Sequence, residues 1–180
     1  GFVEQAHELG WAFVTREHYD TAVQIYQDLK RQFPNHERAA WFQRSIVQTY
    51  LETGDMDMVA ESLNTLKVQF KQHPDYVTQM HETAVRLRWN RQYASAETIY
   101  AYLLAERPTC DQGAMLKRSQ IQTLLEAGRL ETAKHELAGF TAYKDRADYV
   151  RHFHELAWEF VTRKEYETGL SMYRSLARQF

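Results

Sequence analysis

Eight histidines and 24 aspartate and glutamate residues give this chain of 180 residues the raw material of a hydrolytic or metal site. Spacing decides whether such chemistry assembles. A zinc-protease helix needs two histidines at i and i+4 with a glutamate between them, so that both rings reach one ion. No His-Glu-x-x-His pattern occurs, and His152 and His154, two apart, fall on different faces of a helix. The pairs His7-Glu8, His81-Glu82 and His154-Glu155 recur at spacings of 74 and 73, which marks them as members of a repeat. The seven glycines are isolated, so no Gly-rich phosphate loop forms. Cys110 is the single cysteine, which excludes an internal disulfide and a multi-thiolate metal site. The expectation is a protein with no catalytic residues, no metal and no cofactor.

The bulk composition points the same way. The chain is 44% hydrophobic and 26% charged, which is the balance of a globular protein. Its 22 Lys and Arg are interleaved with the acidic residues to a net charge of −2, so the clustered basic surface that nucleic acid requires is missing. No run approaches the ~18 apolar residues of a membrane-spanning helix.

The elements that would carry function are read from an internal repeat. Small residues recur at Ala22, Val59, Ala96, Ala133 and Gly169, at spacings of 37, 37, 37 and 36. Three residues before each stands Tyr19, Met56, Tyr93, Leu130 or Tyr166, and four after each stands Tyr26, Leu63, Tyr100, Leu137 or Tyr173. Leu29, Leu66, Leu103, Phe140 and Leu176 follow three further on. Apolar residues three and four apart make one helical stripe, and a small residue within it marks a close helix crossing. Each stripe is thus the second helix of a hairpin. The segments 3–16, 40–53, 77–90, 114–127 and 150–163 supply the first helices. Gly54 and Gly128 sit where a first helix would turn out, while Pro34, Pro74 and Pro108 fall after second helices.

A longer period lies over the first. Residues 7–33 and 154–180 share His-Glu-Leu, Trp, Phe-Val-Thr-Arg and a closing Arg-Gln-Phe, and Arg44-Ser45 with Gln48-Thr49 recurs as Arg118-Ser119 with Gln122-Thr123. The unit of duplication is a pair of hairpins. Because the chain stops at Phe180 within a helix matching 18–33, the pattern reads as a fragment of a longer array. Its apolar C-terminal face, around Leu170, Tyr173 and Leu176, is a candidate for self-association.

The order Leu9, Gly10, Phe13, Tyr19, Ala22, Tyr26, Leu29 and Pro34 resembles the tetratricopeptide repeat signature, with Ala6 in place of its leading Trp. Repeat three keeps Ala84, Leu87, Tyr93, Ala96, Tyr100 and Pro108. The resemblance covers essentially the whole chain, as a bacterial-type array. It implies an all-α, right-handed superhelical solenoid of about five hairpins forming one domain, with repeats near 3–36, 40–73, 77–110, 114–147 and 150–180. The family period is about 34 residues, so the longer spacing implies extended inter-repeat segments.

The resemblance also places function on a concave groove lined by the first helices. The candidate binding residues there are His7, Trp11, Trp41, Arg44, Gln48, His81, Trp89, Arg118, Gln122, His154 and Trp158. All four tryptophans are among them. They read either as packing between neighbouring first helices or as aromatic anchors for a ligand. Arg44 with Gln48 and Glu52, and Arg118 with Gln122 and Glu126, read either as ladders along one helix or as donors for an anionic ligand. The family's carboxylate clamp for chaperone tails is absent: its places hold His7, Trp11, Ser45, Thr78 and Glu82.

Two functions follow as expectations. The first is a non-enzymatic scaffold that binds a peptide or partner domain in the groove. The second is a periplasmic segment of a bacterial exopolysaccharide export machinery, in contact with polysaccharide or a modifying enzyme. Compartment is not set by these residues, and the second reading alone places the chain in the periplasm.

Overall fold

Each 37-residue period contains two stretches free of proline and rich in helix formers, and each stretch folds as one helix. The computed structural model describes residues 1–179; Phe180, on which the fragment reading rests, lies outside them. The first helices of the hairpins are α1 (Phe2–Val14), α3 (Ala39–Thr53), α5 (Tyr76–Trp89), α7 (Gly113–Glu126) and α9 (Tyr149–Thr162). The second helices are α2 (Tyr19–Gln32), α4 (Met56–Gln69), α6 (Tyr93–Glu106), α8 (Leu130–Ala138) and α10 (Tyr166–Gln179). No strand occurs among the described residues. The fold is all-α and built of helix–turn–helix pairs.

The chain forms two compact units, Gly1–Asn90 and Arg91–Phe180. In the first, Val3, Val14, Ala22, Tyr26, Leu29, Phe42 and Ile46 make one apolar cluster joining α1, α2 and α3. The small column does there what its size predicts: Ala22 has no exposed surface. Gly10 on α1 extends the same close approach, since a Cβ at that position would stand 2.6 Å from the Tyr26 ring. In the second unit, Ile121, Leu124, Ala133, Phe140, Tyr149, Phe153, Leu156, Phe160 and Met172 form the core of α7 to α10.

The hairpin turns share one backbone device. Glu17, Gly54, Arg91, Gly128 and Lys164 occupy one column, and all five have φ between 60 and 76°. That is the left-handed C-terminal cap, in which the next N–H reaches back over the helix end. His18 N–H donates to Phe13 O, Arg129 N–H to Leu124 O and Glu165 N–H to Phe160 O, each at 2.9 Å. Only two of the five positions carry the glycine that signals such a cap in sequence. A side chain in left-handed backbone costs free energy that glycine avoids. Lys164→Gly is therefore expected to stabilise the second unit by about 0.5–1 kcal/mol, read as a higher urea midpoint at unchanged slope. A lower midpoint would show that the lysine side chain contributes more than its backbone costs.

The segments between repeats are wound, not extended. Each is a pair of consecutive turns: His36 N–H to Phe33 O at 3.1 Å and Ala39 N–H to His36 O at 2.9 Å, repeated at 70–73–76, 107–110–113 and 143–146–149. His36 and His73 brace these turns from within, their Nδ1 atoms accepting from Arg38 N–H at 3.1 Å and Asp75 N–H at 3.2 Å. The extra residues of the long period are spent on this double turn.

The one spacing of 36 has a local cause. Phe140 and Tyr143 are one residue closer than Leu29 and Phe33, and the backbone there tightens into a 3₁₀ turn, Gly139–Tyr143. A 3₁₀ turn rises about 2.0 Å per residue against 1.5 Å for an α-helix, so three residues cover roughly the 6 Å that four do elsewhere. Phe140 still reaches the core with no exposed surface.

Candidate functional site

The polar residues of the first helices pair between repeats, and that pairing sets the character of the exposed faces. In the first unit, Arg44 on α3 forms an ion pair with Glu82 on α5, and Arg86 on α5 forms one with Glu52 on α3. In the second unit, Arg118 Nε on α7 lies 3.3 Å from Glu155 Oε2 on α9. Arg44 and Arg118 both reach across to a glutamate on the next first helix. Two of the three His-Glu pairs supply these partners: Glu82 meets Arg44 and Glu155 meets Arg118.

His7 departs from its expected place as a groove donor. It is buried between α1 and α3, with Nε2 2.8 Å from Ser45 Oγ and its ring stacked on Trp41 at 3.5 Å between centroids. Burial, with the nearby charges of Arg44 and Arg38, pulls its pKa down to about 4. Trp41 is thereby a packing residue, covered on one side by His7 and with the Arg38 guanidinium 5.2 Å from its ring centre. Ser45, missed as a partner in sequence, fixes the imidazole.

The remaining candidates divide by unit. Trp11, Arg44, Gln48, His81 and Trp89 come together in the first, around a hollow of about 460 Å³ that Glu82, Val85 and Arg86 also line. A second hollow of about 330 Å³, lined by Arg38, Trp41, Arg44, Asp75, Gln79 and Glu82, adjoins it. The Arg44–Glu82 pair borders both. Trp89 is 66% exposed and Trp11 40% exposed, and Phe2 and Leu9 on α1 are exposed too but line a different surface. Gln48 has no hydrogen-bond partner among the described residues. In the second unit, Arg118 and Gln122 on α7 are half-buried, while His154 and Trp158 on α9 are exposed. His154 meets Tyr173 edge-on at 5.5 Å.

A polar cluster that sequence did not single out surrounds His152 in the second unit. Its buried ring stands 3.1 Å from Asp148 Oδ2 and 3.1 Å from Glu155 Oε2, and Glu155 is the carboxylate that pairs with Arg118. All of these groups satisfy one another. Among the described residues, no group of three histidine, cysteine or acidic side chains is arranged to hold a metal ion. Burial raises the Cys110 thiol above its ordinary pKa, which is the opposite of nucleophile activation.

Comparison with solved structures now bears on this arrangement of hairpins. Nearly identical TPR-like repeats from a Podosopora anserina protein described as a kinesin light chain superpose with a TM-score of 0.59 at 15% identity, covering 98% of this chain and 93% of that one. A single-residue variant of those repeats matches equally well. The chain has a TPR-like repeat fold. No family model matches this TPR-like chain, and no curated protein matches its sequence significantly. At this identity the likeness shows the fold alone. No helix among the described residues is long and apolar enough to cross a membrane.

Proposed function

We propose that this TPR-like chain is a non-enzymatic scaffold that holds a segment of a partner protein against α1, α3 and α5. The observation that supports the reading best is the pair of exposed indoles, Trp11 and Trp89, at one hollow of about 460 Å³. Large aromatic groups left open to water beside a concavity are the usual anchors of an interface. Phe2 and Leu9 on α1 are open as well, but of these large exposed groups only Trp11 and Trp89 line this hollow. The ion pairs around the hollow, with Val85 between them, supply a rigid rim.

A partner captured by crosslinking with the intact chain provides the test. Trp89→Ala and Trp11→Ala are each expected to weaken it by at least about 2 kcal/mol, roughly 30-fold. Asn64→Ala, an exposed position on α4 away from both hollows, serves as the control. If the control weakens binding and the two tryptophan variants do not, the partner binds elsewhere and the reading fails.

A further inference from the structure

We infer that the Trp11–Trp89 hollow takes an uncharged, proline-rich segment in extended conformation, an inference that rests on the binding face proposed above and specifies its ligand. Charge is the first observation. Arg44 is paired with Glu82 and Arg86 with Glu52, so an acidic or basic ligand would have to compete with an internal ion pair for its contact. The face therefore selects against both kinds of charged tail.

The second observation is an excess of donors. Each guanidinium meets its carboxylate through one terminal nitrogen and buries its Nε, so the donors left over for a ligand are those of the other terminal nitrogen. Gln48 adds an amide with no partner among the described residues, and each indole adds an N–H. The only carboxylate on the wall, Glu82, is already engaged. A matching ligand offers carbonyl oxygens and asks for few acceptors. A run of prolines does so, because each residue has a C=O and no N–H.

Shape is the third. Two open indoles present flat apolar faces, the surface on which proline rings pack in aromatic-lined grooves. A polyproline II segment is already extended before it binds, so it loses little conformational freedom on docking.

The test is calorimetric titration of the intact chain with a short polyproline peptide, a polyglutamate peptide of equal length and a neutral cello-oligosaccharide. The expected result is binding of polyproline alone, with an affinity that changes little as salt rises. Trp89→Ala and Trp11→Ala are each expected to weaken it about tenfold or more, and Gln48→Leu about fivefold, while Asn64→Ala leaves it unchanged. Binding of polyglutamate or the oligosaccharide in place of polyproline overturns the inference, as does polyproline binding that survives both tryptophan changes. If polyproline does not bind but a captured partner still requires Trp89, the ligand class is wrong and the face stands. If the captured partner ignores Trp89 and Trp11, both fall together.

Discussion

Phe160→Ala is expected to cost the second unit about 3–5 kcal/mol, the range for deleting a fully buried phenylalanine. Phe160 has no exposed surface and belongs to the cluster of Ile121, Leu124, Leu125, Ala157 and Met172. Removing the ring forfeits its transfer free energy and leaves a void between helices whose approach is set by their small residues. On the partner helix, Gly169 already sits so close that a Cβ would lie 3.0 Å from Ala157 O. The helices therefore have little room to move inward and fill the gap. Urea unfolding followed by helical signal would give the loss, and hydrogen exchange would show weakened protection over α7 to α10. A cost under about 1 kcal/mol would mean that the helices collapse onto the cavity, against the packing described.

Acid is expected to destabilise the first unit through His7 well before the carboxylates titrate. The imidazole faces Ser45 Oγ, the rings of Trp41, Tyr26 and Phe42, and the positive charges of Arg44 and Arg38. Nothing near it welcomes a proton. Its folded pKa of about 4 lies below the ordinary value of 6.5, so the folded state binds fewer protons than the unfolded chain between those limits. Stability contributed by the neutral ring is complete above about pH 6.5 and is lost as pH falls towards 4. By pH 5 the loss reaches roughly 2 kcal/mol, from the size of the shift. His7→Gln keeps a partner for Ser45 but cannot titrate, and should flatten the pH dependence of the urea midpoint between pH 7 and 5. An unchanged slope in that variant would place the titrating group elsewhere.

Both effects depend on contacts between residues far apart in sequence, which is where the reading of residues alone began to fail. The arginines show why. Along its own helix Arg44 has Gln48 one turn on and Glu52 two turns on, which reads as a polar ladder from spacing. Glu82 lies 38 residues away but reaches Arg44 across the contact of α3 with α5, and Glu52 turns to Arg86 instead. Among the residues named for the groove, Arg44 and Arg118 are paired across helices, while His7 and Trp41 are packed on each other. Trp11, Gln48, His81 and Trp89 keep a common place around one hollow.

What the residues determined by themselves was the hairpin. Helix positions, the small column at Ala22, Val59, Ala96, Ala133 and Gly169, and the proline stops after the first three second helices all follow from local preference and a period of 3.6. Such signals act within a few residues, so they survive in a linear reading. Three kinds of information did not. Left-handed caps at Glu17, Arg91 and Lys164 carry no glycine to announce them, because the surrounding turn imposes the backbone there. The 3₁₀ turn at Gly139–Tyr143 absorbs a missing residue that appears in sequence only as a spacing of 36. Which tryptophan is covered and which is open was decided by the tertiary structure, since four similar indoles differ only in what the neighbouring helix places against them. His7 stacks on Trp41, whereas Trp11 and Trp89 face a hollow, and that contrast alone turns two of the tryptophans into candidate anchors.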